Sequence, residues 1–211
     1  MDNLELILSD VETSGNLNTM QLPDIGDYNF WNMYNNRILS IDGEITDWDA
    51  HIIKDIISIN LEDKDKMVEE RKPIIILINS NGGSLNVTNS IIDAISISKT
   101  PVWTVNMGQA LSGGCLIFLA GKKRFTIPSS WAMCHAGSVE FQGNFSETKE
   151  ATKVWETQIK KMGEYIMERT GIDTKTYNKY KNKDWYLDMD QQLQYGFATE
   201  QLTNIEDLWE S

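Results

Sequence analysis

The stretch that most restricts what this chain can fold into is KPIIILINS, Lys72 to Ser80. It is a continuous apolar run of strand length. Such a strand needs cover on both faces, as in a parallel sheet between helices. Asn81-Gly82-Gly83 follows and reads as a sharp turn. Ser84 then caps a predicted helix in which Val87, Ile91, Ile92 and Ile95 share one face.

The same alternation extends to both sides. RILSIDGEI, from Arg37, reads as a strand with a turn signal at Asp42-Gly43. DWDAHIIKDIISINLED reads as an amphipathic helix with Trp48, Ile52, Ile56 and Leu61 near helical spacing. The charge run EDKDKMVEERK reads as a solvated loop. PVWTVNM is a strand, GQALSGG a turn, and CLIFLAG the start of a buried helix. RFTI and WAMCHAG are two more short strands around a Pro128-Ser129-Ser130 turn. Alternation from residue 37 to about 136 predicts α/β layers with mostly parallel pairing.

The texture then changes. SVEFQGNFS is an extended, Gly-broken piece. A long amphipathic helix follows, with Ala151, Trp155, Ile159, Met162 and Ile166 on one stripe and Gly171 as its stop. It is too long for an ordinary crossover and reads as an arm that packs on a neighbour. LDMDQQLQYG reads as a short helix, with Asp188 as N-cap, Gln191 completing a capping box and Gly196 ending it. Residues 1–36 are polar and irregular, an N-terminal arm with little structure, whose Leu4, Leu6, Ile7 and Leu8 can dock elsewhere.

At 211 residues the chain has enough length for one domain with a real core, here residues 37–211. A net charge of -12 argues against partners held through phosphates, nucleic acid and anionic membranes alike. There is no Zn-type spacing and no Gly-x-Gly-x-x-Gly, so neither a metal nor a cofactor is expected. Cys115 and Cys134 lie in apolar runs and read as buried free thiols. The N-terminus starts acidic, wrong for a secretory signal, and no apolar run is long enough to span a bilayer. A reduced, soluble, cytoplasmic protein is the expectation.

The stretch MGQALSGGCL poses the functional question. A serine hydroxyl attacks only with a base to take its proton, a group to orient that base, and donors for the developing oxyanion. Two histidines are available. His51 falls mid-helix and reads as a boundary residue, whereas His135 ends the strand WAMCHAG, where a side chain can reach a cleft. Cys134 and His135 are strand neighbours and point to opposite faces. Composition cannot choose a carboxylate among 31 acidic residues. Ala-Leu-Ser-Gly-Gly is not the Gly-x-Ser-x-Gly elbow, so local spacing alone leaves an ordinary turn serine ahead of a nucleophile.

Beyond local spacing, the chain from Arg37 to about Leu202 resembles the Clp protease proteolytic subunit, ClpP. INSNGGS stands where that family has Ile-Asn-Ser-Pro-Gly-Gly. MGQALSGGCLIFLAGKKRFTIPSSWAMCHAG stands where it has Met-Gly-Gln-Ala-Ala-Ser-Met-Gly, an apolar helix, Gly-Lys-Arg, a Leu-Pro-Asn-Ser turn and Met-Ile-His. DWYLDMDQQLQYGFATE stands where it has Asp-Arg-aromatic-Leu-Ser and a helix ending Tyr-Gly-Leu. The resemblance implies a layered ββα spiral of the ClpP/crotonase type with a protruding strand-helix handle at about 138–170. It implies a serine endopeptidase with Ser112 as nucleophile, His135 as general base and Asp184 as orienting acid. Gly83 and Gly113 would supply the oxyanion amides. A peptide substrate would lie as an added strand between Gly82 and Gly83 on one side and Gly137, Ser138, Val139 and Glu140 on the other. Implied partners are copies of the chain itself, in heptameric rings that can stack as a tetradecamer, and a Clp-type ATPase unfoldase.

This sequence departs from that pattern in places. Gly113 replaces Met, Ala136-Gly137 replaces Gln-Pro, Asn81 replaces Pro, a charged insertion precedes the Ile-rich strand, and the N-terminal arm matches poorly. They suggest a divergent member and leave open a weak or inactive ring subunit. Crotonase-type acyl-CoA enzymes share the layered spiral but use carboxylates. Signal peptide peptidases share Ser-Gly-Gly but rely on a Ser–Lys dyad and a membrane. His135 speaks against both.

Overall fold

The structure, a computed structural model, describes residues 24–137 and 144–209. The chain divides into two compact units at Asn36/Arg37. Within the first, α1 (Ile25–Asn35) is a helix where the sequence reads as irregular. The Asp24 carboxylate caps it by accepting from the Asp27 amide at 2.9 Å. Phe30 and Tyr34 stack along it and Trp31 meets both edge-on, with ring centroids 5.5–6.2 Å apart. None of its residues is buried, so no apolar period marked it in the sequence. Leu4, Leu6, Ile7 and Leu8 lie outside the described residues.

In the second unit, β1 (Ile38–Ile45), β2 (Ile74–Gly83) and β3 (Val102–Leu111) pair in parallel. β2 runs through the middle, with Ile74, Ile75, Ile76 and Ile78 at most 1% exposed. That is the two-sided cover its composition demanded. α2 (His51–Glu62) and α3 (Leu85–Ile97) connect these strands. Ser84 caps α3, accepting from the Val87 amide.

β3 then forks. Its first half, Trp103 to Asn106, pairs with β4 (Lys123–Thr126), which continues to β7 (Glu200–Gln201). Its second half, Gln109 to Leu111, pairs with β5 (Trp131–Cys134). β5 in turn pairs antiparallel with β6 (Trp185–Leu187). The result is the layered α/β fold with a mostly parallel sheet, and it brings the ends of β3, β5 and β6 together.

Between β3 and β4 lies α4 (Gly113–Ala120), in which seven of eight residues are buried. The long helix α5 (Phe145–Thr170) spans about 39 Å at 1.5 Å per residue. An Asn144/Glu147 capping box opens it and Gly171 (φ 75°) closes it. Gly163 and Ile166, toward its end, are buried, while Phe145 and Val154 are exposed. α6 (Thr174–Tyr180) and α7 (Met189–Gln194) complete the unit, the latter with the expected Asp188/Gln191 capping box.

Asp42-Gly43 is not a turn. β1 continues through it with a bulge, where Gly43 has φ 74° and its carbonyl accepts from the Ser80 hydroxyl at 2.5 Å. Asn81-Gly82-Gly83 and Gly108 to Leu111 are also strand, the ends of β2 and β3. Trp48 (80% exposed) and Leu61 (64%) are outside the core, and Ile59 takes the inward place. A 3-10 turn over Asp47–Ala50 shifts the helical phase before α2 begins.

The charge run is not simply solvated. Asp63 is fully buried. Its two oxygens accept from Arg37 at 2.5 and 2.7 Å, from Lys66 at 2.8 Å and from the Thr100 hydroxyl at 3.2 Å. Arg37 and the neighbouring Lys66 hold its carboxyl well below the usual carboxylate range, Arg37 most strongly. Removing one partner of a buried pair leaves the other uncompensated. Asp63→Ala should therefore cost about 3–5 kcal/mol in denaturant unfolding. Because the folded value is depressed, the stabilisation is complete above the unfolded carboxylate's value of about 3.9. It is lost as pH falls toward the folded value, so Asp63→Ala should also flatten the acid limb of the stability curve.

Candidate active site

Ser112 is the one-residue junction between β3 and α4. Its φ is 52° and ψ -119°, a strained conformation for a residue with a side chain. Its amide donates to the Met133 carbonyl at 2.8 Å, and its carbonyl accepts the first helical bond from Leu116 at 3.2 Å. This is the sharp strand-to-helix elbow that lifts a serine out of a sheet. The Gly-x-Ser-x-Gly string is absent, yet small residues stand where the backbone needs them, some from another strand.

Gly82 is the closest of these. A Cβ there would lie 2.7 Å from the Ser112 Cβ and 2.9 Å from the Gly113 nitrogen. Its φ of 90° independently selects glycine. Gly83 (φ 153°) packs on β1, where a Cβ would overlap the Ile45 backbone. The Ser84 amide bonds the Ile45 carbonyl at 2.8 Å. The Gly83 nitrogen itself lies near the start of α4. A methyl on Gly113 would sit 3.6 Å from the Gly83 nitrogen, so these two backbone segments lie side by side. Gly114 lets α4 start tightly against Ser80 of β2.

The register of β5 on β3 sets Leu111 against Met133, and His135 follows two residues later. Ser112 Oγ lies 2.8 Å from His135 Nε2. β6 carries the third group. Cys134 pairs with Trp185, so Asp184 stands opposite His135 one step beyond the ladder. Asp184 Oδ1 is 3.5 Å from His135 Nδ1, an ion-pair separation longer than a good hydrogen bond. The Asp184 side chain is 64% exposed and that of His135 24%. With its proton on Nδ1, the imidazole accepts from Ser112 and turns its N–H toward Asp184. His51 lies elsewhere, its Nδ1 2.8 Å from the Trp48 carbonyl. Burial pushes the Cys134 thiol up to about 12 and the Cys115 thiol well upward, so both remain neutral apolar fillers.

The family model for Clp protease matches residues 26–204. The chain belongs to the Clp protease family. It is 31% identical over 139 residues to the ATP-dependent Clp protease proteolytic subunit 2 of Treponema pallidum, covering 65% of this chain and 70% of that one. The corresponding subunit of Treponema denticola is 32% identical over the same length and coverage. A solved structure of a ClpP1 mutant from Listeria monocytogenes superposes with a TM-score of 0.73 at 26% identity, covering 85% of this chain and 99% of that one.

In this Clp protease family member, residues that sequence patterns did not flag support the cluster. Gln192 of α7 is fully buried. Its carbonyl oxygen accepts from Asn106 at 3.1 Å and Thr126 at 3.0 Å, and its amide donates to the Ser130 and Leu187 carbonyls at 3.2 and 3.3 Å. One side chain thus ties β3, β4 and the ends of β5 and β6 together. Arg169 of α5 donates to the Leu119 and Gly121 carbonyls, both at 2.7 Å, at the C-terminal end of α4. Arg124 reaches the Gly121, Phe197, Gly196 and Arg169 carbonyls. Burial, with the Arg169 charge second, lowers Arg124 to about 10. A short polar residue in a short helix and a lone arginine carry no periodic signal.

Gly113 needs no unusual φ. A Cβ there would meet the Thr88 hydroxyl oxygen at 2.6 Å, so its constraint is one of space. That hydroxyl is the one buried side-chain polar atom without a partner among the described residues. Gly137 (φ 79°) abuts Trp155 of α5, and Ser138, Val139 and Glu140 lie outside the described residues. No group of three potential metal ligands occurs among the described residues, and no helix there is long and apolar enough to cross a membrane.

Gly82→Ala tests how closely the elbow depends on its neighbour. The added methyl meets Ser112 and Gly113 and forces a left-handed φ on alanine. Loss of at least a hundredfold in reaction of Ser112 with an active-site phosphonate is expected, with the fold retained by circular dichroism.

Proposed function

We propose that this chain is the proteolytic subunit of a Clp-type protease, a serine endopeptidase acting inside an oligomeric chamber. The observation that carries the reading is the 2.8 Å contact of Ser112 Oγ with His135 Nε2, with Asp184 behind the ring at 3.5 Å. Ser112 attacks the peptide carbonyl carbon and its proton passes to His135 Nε2. Asp184 holds the tautomer and steadies the imidazolium. The Gly83 and Gly113 amides receive the oxyanion, helped by the N-terminal end of the α4 dipole. His135 then gives the proton to the leaving amine. Water, deprotonated by the same histidine, releases the acyl group and restores Ser112.

Substrate would lie as an extended strand between Gly82-Gly83 and residues 137–140, held mainly by main-chain bonds. Two adjoining cavities of about 370 and 300 Å³ share Leu85 and Gln158, between α3 and α5, and would receive side chains. α5, with Phe145 and Val154 exposed, would act as the handle between stacked heptameric rings. An apolar cavity of about 740 Å³ between α2 and α3, rimmed by exposed Ile57, Leu61 and Ile97, would receive a Clp-type ATPase. The chain would work in the cytoplasm on peptides alone, and on folded proteins with the unfoldase.

The exposure of Asp184 and its 3.5 Å separation also fit a non-catalytic ring subunit. Labelling separates the two. An active-site phosphonate should modify Ser112 in the purified oligomer, and Ser112→Ala should abolish modification. His135→Ala should lower turnover of a fluorogenic peptide by about 10⁴-fold or more. A well-formed oligomer that never labels would establish the non-catalytic subunit instead.

A further inference from the structure

Asp184 receives no hydrogen bond from the described residues, yet it must be held against His135 for the reading above to work. Its support comes from the residue after it. Trp185 is 5% exposed and enclosed by aromatic rings. Tyr180 stacks face to face on it, with centroids 4.1 Å apart and planes 8° from parallel. Tyr195 and Phe197 meet it edge-on at 5.1 and 5.4 Å. Tyr180 also closes the backbone of the same turn, its carbonyl accepting from the Lys183 amide at 2.9 Å. Residues 180–185 therefore form a clasp, joined by a backbone bond at one point and a ring stack at its ends. Asp184 is the last residue before the clasp shuts.

The clasp is anchored at both ends. Trp185 is fixed in the β5–β6 ladder opposite Cys134. α6, which ends at Tyr180, lies on α5, where the Tyr177 hydroxyl fills the space a side chain at Gly163 would need. Asp173 caps α6 by accepting from the Thr176 amide at 2.7 Å. Opening the Tyr180–Trp185 stack would leave the turn held by backbone alone, through the Lys181 amide on the Tyr177 carbonyl and the Lys183 amide on the Tyr180 carbonyl, both at 2.9 Å, with both anchors in place.

We propose that Tyr180 is a positioning residue for the Ser112–His135–Asp184 reaction: its ring, stacked on Trp185, closes the 180–185 turn and sets the Asp184 carboxylate against His135. This rests on the serine peptidase reading. The ring face, and not the hydroxyl, is what acts. Tyr180 is half-buried at the end of a surface helix, so its truncation uncovers one face of Trp185 and leaves Tyr195 and Phe197 packed on that ring.

The test is a double-mutant cycle on the purified oligomer, read by the rate of phosphonate labelling at Ser112 and by kcat and KM for a fluorogenic peptide. Tyr180→Ala should lower kcat and the labelling rate by about ten- to a hundredfold, with KM and oligomer size near wild type and the thermal midpoint lowered by only a few degrees. Tyr180→Phe should retain wild-type rates. In an Asp184→Asn background, Tyr180→Ala should change the rates less than about twofold, because its action runs through that carboxylate. Tyr180→Leu makes the same comparison if the alanine variant does not assemble. Wild-type rates in Tyr180→Ala, an equal loss in the Asp184→Asn background, or a Tyr180→Phe as slow as alanine would each overturn the proposal. A wild-type oligomer that neither labels nor cleaves would overturn the peptidase reading, and this proposal with it.

Discussion

The backbone at Ser112 is the constraint on which the rest depends. A positive φ on a serine costs on the order of 1–3 kcal/mol and persists only where its surroundings leave no alternative. Here β3 ends by pairing with β5, the Ser112 amide is taken by Met133, and the next residue already begins α4. The junction is crowded, so the facing strand must offer Gly82, and α4 must start with Gly113 and Gly114. The same pairing with β5 that imposes the strain delivers His135 to the serine hydroxyl. Strain and site assembly are thus two outcomes of one register.

Behind the elbow the electrostatics follow the same axis. α4 is almost wholly buried and points its N-terminal end at Ser112. Its other end is met by Arg169 and Arg124, whose guanidinium groups satisfy carbonyls that would otherwise be orphaned. Arg169 belongs to α5, so the long helix is fixed to the base of the site helix. Tyr165, one turn earlier, donates to the Leu116 carbonyl at 3.0 Å and adds a second tie. The more exposed first half of α5 is therefore carried on a firmly held root.

Features governed by periodicity were legible in the sequence. The Ile-rich β2, the alternating α/β order, the Ser84 and Asp188 caps and the Gly171 stop stand where the patterns placed them. Glycine signals misled, because Asp42-Gly43 and Gly82-Gly83 serve bulges and close approaches within strands instead of turns. The burial of Asp63 was hidden because its partners, Arg37 and Thr100, are distant in sequence. α6 and β6 were missed because they are short. For the site, Ser112 and His135 were visible as candidates from residue chemistry. Asp184 stood out from the other carboxylates only through family resemblance, since its neighbour on β5 is set by an antiparallel pairing that no local pattern encodes. The Gln192 hub and the Tyr180 stack depend wholly on tertiary contacts.

On the proposed reading, the Ser112 elbow and the Gly83 and Gly113 amides form one oxyanion-binding site. A crystal structure of the oligomer with a peptide boronate bonded to Ser112 Oγ tests it most directly. A boronate oxygen is expected within about 2.7–3.1 Å of both the Gly83 and Gly113 nitrogens, with His135 Nε2 beside the other oxygen. A boronate on Ser112 whose oxygens reach neither amide would contradict it.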